Sequence, residues 1–178
     1  MRTLILLLFL GLYSLPFYSQ CKPIKEEVDD FTGKKIVTYG DKGFFNNSLK
    51  DKSKNSNMMG KIKFTRTDTI YYIDIDIEAR KKWELQKDAL VEIKFKESEV
   101  LNLKTSNQFS SKFLSSGAGD YYNWEGEVKI NITKSHLEKF ANMELEKIRI
   151  SFDDEAGVTD AASPDKIKKY AQCLLIIK

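Results

Sequence analysis

The sequence predicts an α+β fold: a mostly antiparallel sheet of about six or seven strands, with two helices in the C-terminal third. Three observations carry that prediction. Tyr71, Ile73, Ile75 and Ile77 alternate with Tyr72, Asp74, Asp76 and Glu78, the period of two that marks a strand with one buried face. The same alternation returns in Val91-Ile93-Phe95 and again in Trp124-Gly126-Val128-Ile130-Ile132. Helix-starting signals gather late, at Ser135 with Glu138 and at Ser163-Pro164-Asp165.

The chain begins with an expected export signal over residues 1–20. Arg2 gives a positive start, and Leu4 to Tyr13 is an unbroken apolar run. Ten helical residues rise about 15 Å, whereas a bilayer core of about 30 Å needs roughly 20. The run therefore reads as a cleaved leader, with the cut near Ser19 or Gln20. Of 178 residues, 158 then remain as a single domain over 21–178, and no transmembrane span is expected in it. That length can bury one hydrophobic core unaided. The chain carries 29 Lys and Arg against 26 Asp and Glu, a net charge of +3. So small an excess is a poor match for a polyphosphate backbone, and no nucleic-acid partner is expected.

Cys21 would stand at or beside the new N-terminus, and three uses are open to it. One is lipid attachment, although that pattern wants a small residue before the cysteine and Gln20 is there. The second is a disulfide with Cys173, the only other cysteine, which an oxidising compartment permits. The third leaves both thiols unpaired, with Cys173 buried on a helix face.

After a polar stretch and a turn at Thr32-Gly33, a short strand is expected at Ile36–Tyr39, ending at Gly40-Asp41. Residues 41–59, rich in Asn, Ser and Lys, read as a long surface loop. The 60–78 region reads as a hairpin about Asp68-Thr69. That turn sets Ile62 opposite Ile75 and Phe64 opposite Ile73 on one face. On the other face it sets Lys63 opposite Asp74 and Lys61 opposite Asp76. The acidic row could serve a metal or substrate, but the facing lysines account for it as paired charge. Residues 79–88 fit either a helical turn or a loop, and 91–96 with 100–104 form a second hairpin. Residues 105–123 are a Ser- and Gly-rich connection into the Trp124 strand. A capping box at Ser135 and Glu138 opens a short helix bearing Leu137, Phe140 and Ala141. The strand Lys147–Phe152 follows, near enough to Ile132 for a helical crossover between parallel neighbours, with an antiparallel return the alternative. Asp153 to Asp160 reads as an acidic loop. Ser163 caps a last helix with Pro164 at its first position.

Motifs for chemistry are sparse. His136 is the only histidine and sits beside a helix cap, and no GxSxG turn accompanies it. There is no phosphate loop, and neither metal nor cofactor is expected. The segment that stands out is Ser115 to Gly126, where Tyr121, Tyr122 and Trp124 fall within four residues beside Asp120 and Asn123. Aromatic faces next to hydrogen-bonding groups suit a sugar ring or a protein loop. Packing of these rings into the core is the competing reading.

The Leu-rich leader ending Tyr18-Ser19-Gln20-Cys21, the segment Asp30-Phe31-Thr32-Gly33-Lys34, the strand Val91 to Lys96 and the Leu137 to Ile150 helix–strand pair together resemble a loose group. These are small exported proteins of unknown function, common in Bacteroidetes-type bacteria. The resemblance implies a periplasmic, cell-surface or secreted setting and brings no catalytic residues. The expected function is a non-catalytic exported module that binds a glycan or an envelope protein through Tyr121, Tyr122 and Trp124. The alternatives are an accessory envelope protein without a ligand pocket and a hydrolase using carboxylates.

Overall fold

Every alternating segment becomes a strand, and several polar connections join the sheet as well. The structure, a computed structural model, describes residues 21–46, 58–79, 82–113, 124–152, 156–161 and 164–177. The expected leader, Tyr121, Tyr122 and Ser163 lie outside those residues. Strand β1 (Lys25–Val28) leads through a turn into β2 (Lys35–Asn46). In that turn Asp29 Oδ1 accepts from the amides of Phe31 and Thr32 at 3.1 and 2.7 Å. Strands β3 (Met58–Thr67) and β4 (Ile70–Ala79) form the 60–78 hairpin in the expected register, on both faces. Asp68 adopts φ 57°, the left-handed conformation that a two-residue hairpin turn requires.

The remaining strands are β5 (Glu84–Leu85), β6 (Leu90–Phe95), β7 (Val100–Lys104), β8 (Phe109–Ser110), β9 (Lys112–Phe113), β10 (Trp124–Ile132), β11 (Leu145–Ser151) and β12 (Ala156–Ala161). Helices α1 (Lys134–Asn142) and α2 (Pro164–Ile176) both fall in the last third. Among the described residues ten strands make one sheet, in the order β7-β6-β11-β12-β2-β3-β4-β10-β9, with β1 on the free side of β2. All pairings are antiparallel. The fold class is the expected α+β. The sheet exceeds seven strands because β1, β9 and β12 extend it, and β5 and β8 add a separate ribbon.

Three local expectations are corrected. The strand opening at Ile36 does not stop at Gly40-Asp41. It runs on to Asn46, with a register shift against β3 between Tyr39 and Gly43. Gly40 has φ 106°, so its flexibility serves a bulge rather than a turn. Residues 156–160, read as part of an acidic loop, belong to β12 and pair with β11 and β2. Strands β10 and β11 are not neighbours, so α1 is not a crossover between adjacent strands. It spans the distance between two well-separated strands.

The two ends of the sheet also meet. Directly after β7, the Ser106 amide donates to the Lys129 carbonyl at 2.7 Å. Asn107 then pairs with β10 through its side chain: Nδ2 donates to the Glu127 carbonyl (2.9 Å) and Oδ1 accepts from the Lys129 amide (2.8 Å). A side-chain amide here does the work of a peptide group, and the sheet curls around one core. Ile62, Phe64, Ile73, Val91, Ile93, Phe95, Val128 and Ile130 are fully buried inside it. From α1, Phe140 reaches between Phe64 and Phe95, while Ile167, Ala171 and Leu174 bury the inner face of α2.

Two glycines are required by close approach. A Cβ on Gly126 would lie 2.3 Å from Phe109 Cε1 and 2.6 Å from the Trp83 ring. These aromatics, carried by the β5–β8 ribbon, lie over β10 at that point. A Cβ on Gly40 would lie 2.8 Å from the Ile62 carbonyl oxygen, in addition to the strain of its positive φ. Gly40→Ala is expected to destabilise the fold by about 1–3 kcal/mol, read as a lower denaturation midpoint. An unchanged midpoint would mean that the bulge is not formed.

Candidate functional site

Of the residues singled out by the sequence, Trp124 is half-buried at the start of β10. It sits between Ala79 of β4 and Phe113 of β9. The Phe113 and Trp124 rings meet edge to face at 5.3 Å, and Phe113 is 58% exposed. An aromatic pair with one ring open to solvent therefore flanks the segment that holds Tyr121 and Tyr122.

Cys21 and Cys173 are joined by a disulfide, with their Cα atoms 5.4 Å apart. Cys173 lies on the buried face of α2, so the bond ties the segment before β1 to the last helix. That segment then continues along β2, where the Ile24 amide donates to the Thr38 carbonyl at 2.9 Å.

His136 belongs to the helix start. Thr133, in extended conformation after Ile132 ends β10, is the cap residue rather than Ser135. Its Oγ1 accepts from the His136 amide at 3.1 Å, and His136 Nδ1 accepts from the Thr133 amide. Burial, and then the Lys139 charge, hold His136 below the usual imidazole range. Among the described residues no group of three or more His, Cys, Asp or Glu is placed to hold a metal. Among the same residues no helix is long and apolar enough to cross a membrane.

A further polar assembly lies on the outer face of the sheet, around the acidic row that the sequence reading accounted for as charge paired with facing lysines. The register puts Asp74 at the centre of a grid, with Lys63 on β3 and Lys129 on β10 directly opposite it on either side. Lys63 nevertheless reaches diagonally to Asp76, 2.9 Å away. Asp74 turns instead to Thr65, whose hydroxyl donates to Oδ2 at 2.8 Å. Thr38 Oγ1 lies 3.1 Å from the same hydroxyl. Thr38, Thr65 and Asp74 are all buried on this otherwise polar face. Glu127, diagonal to Asp74, is held above the usual carboxylate range by burial and then by the Asp74 charge. Ile24 and Ile36 stand over one side, and the open groove between has a volume of about 340 Å³. The sequence signal for it was the run of polar residues at strand centres, which cross-strand pairing was enough to explain.

No protein-family model, curated protein or solved structure matches this chain.

Proposed function

We propose that the chain is an exported, non-catalytic binding module that takes a glycan or protein surface through the aromatic segment Tyr121–Trp124. The observation that supports this reading most is the Phe113–Trp124 pair, exposed on one ring beside that segment. Exposed aromatic rings contribute large contact area at small entropic cost and tend to dominate recognition surfaces. Export rests on the apolar run at residues 4–13, and the Cys21–Cys173 disulfide supports it, because structural disulfides persist in oxidising compartments.

The test is capture of glycan and envelope fractions by immobilised protein spanning residues 21–178. The captured component is then identified and titrated against Tyr121→Ala/Tyr122→Ala and Trp124→Ala variants. Loss of two aromatic contacts is expected to weaken binding by about tenfold or more. Unchanged capture by the double variant would place the binding surface elsewhere.

A further inference from the structure

We infer that the groove over Asp74, on the outer face of β2, β3, β4 and β10, is a binding site for a neutral hydroxylated ligand of the saccharide class. This goes beyond the aromatic segment and does not depend on it.

The Asp74 side chain is only 8% exposed, and among the described residues no N–H or hydroxyl donates to Oδ1; a protonated Glu127 carboxyl is the neighbour that could donate to Asp74 in a ligand's absence. A buried carboxylate oxygen left unpaired is costly, so a position that retains one calls for a donor from outside the chain. The oxygen belongs to a residue lining the groove, which is where such a donor would arrive.

The Thr65 hydroxyl has one proton and gives it to Asp74 Oδ2 at 2.8 Å. Thr38 must therefore donate to Thr65, which leaves Thr38 Oγ1 only lone pairs to offer a ligand. Beside these acceptors stands a donor, Lys129 Nζ, 3.9 Å from Asp74 Oδ1 and 4.5 Å above the Tyr72 ring centroid, with the ammoniums of Lys63 and Lys25 also on the groove lining. A ligand hydroxyl set between Asp74 and Lys129 would donate to Oδ1 and accept from the Lys129 ammonium. A second hydroxyl would donate to Thr38. Groups that both donate and accept, closely spaced, are what a sugar ring presents.

An anionic ligand would need free cations, but Lys63 is paired to Asp76 at 2.9 Å and Lys25 to Glu27 at 2.7 Å. A cationic ligand would meet Lys63 and Lys129 on either side of Asp74. A neutral ligand avoids both penalties. Ile24 and Ile36 add an apolar wall for the C–H face of a ring, and about 340 Å³ is at the small end of ligand sites.

The experiment screens the 21–178 protein against an array of neutral mono- and oligosaccharides and titrates the strongest by calorimetry and amide chemical shifts. The expected result is saturable binding with shifts at Thr38, Thr65, Asp74 and Lys129. Asp74→Asn should weaken it by about tenfold or more, while Glu138→Gln, on α1 and outside the groove lining, leaves it unchanged. Lys129→Gln is the second variant, should Asp74→Asn fail to fold, and it should weaken binding in the same direction. Three results would overturn the inference: no saccharide binds the folded protein, binding ignores both substitutions, or the shifts cluster at Phe113 and Trp124. The last would leave the aromatic segment standing as a glycan site while removing this one.

Discussion

Truncating Phe140 to alanine is expected to destabilise the fold by about 3–5 kcal/mol, as for other fully buried phenylalanines. Phe140 is 1% exposed and lies on a helix of only nine residues. So short a helix has little stability of its own and depends on what its apolar face meets. Here that face meets Phe64 at 5.2 Å and Phe95 at 5.3 Å between ring centroids, both edge to face. Phe64 belongs to β3 and Phe95 to β6, which are separated by three strands along the sheet. One ring therefore joins two distant parts of the curled sheet to α1. Its removal leaves a cavity bordered by stiff strands that collapse poorly. Domains of this kind are stable by about 5–15 kcal/mol, so the variant should retain a small margin or unfold at room temperature. Urea denaturation gives the value. A cost below about 1 kcal/mol would mean that Phe140 does not occupy the core. Phe140→Leu should recover most of the loss.

The second large effect follows from the disulfide. Cys21 and Cys173 are 152 residues apart in sequence, and closing so long a loop restricts the unfolded chain by up to about 5 kcal/mol. Measured gains commonly fall below that figure, so replacing both cysteines by serine, or reducing the bond, should cost about 2–5 kcal/mol. The loss should have a place as well as a size. Strand β1 is exposed along its length and pairs only with β2, so its anchorage to α2 through Cys21 matters most there. Amide exchange at Ile24, which is bonded to the Thr38 carbonyl, should accelerate before exchange in β3 or β4 does. Denaturation with and without dithiothreitol, read beside hydrogen exchange, checks both parts. Identical midpoints in the two conditions would exclude a stabilising role for the bond.

Local pairing was legible in the sequence because neighbouring strands carry their register on their own side chains. Both faces of the 60–78 hairpin name one alignment: Ile62 and Phe64 inside, Lys61 and Lys63 outside, against Ile75, Ile73, Asp76 and Asp74. What joined distant segments was not legible. No periodicity in Ala156 to Ala161 announces a strand; its partner β11 directly precedes it, while its other partner, β2, comes from the opposite end of the described chain. Closure of the sheet depends on the Asn107 side chain imitating a peptide, a role that no composition rule assigns to an asparagine in a polar connection. The groove was hidden for a related reason. Register gives the residue opposite, Asp74 facing Lys63, but flexible side chains choose among diagonals. Lys63 chose Asp76, and this left Asp74 to Thr65 and to Lys129 at longer range. The aromatic segment shows the converse: sequence singled out Trp124, and structure adds Phe113 as its partner across β9 and β10.

We propose an exported body closed by one bond between its first and last described segments. Its most direct test is the intact mass of the protein recovered from outside the cytosol, taken before and after thiol alkylation without reductant. The expected product lacks the residues up to about Ser19 or Gln20, is lighter than its dithiol by two hydrogens and is unchanged by the alkylating agent. A chain that keeps Leu4 to Tyr13, or one alkylated at both Cys21 and Cys173, would contradict it.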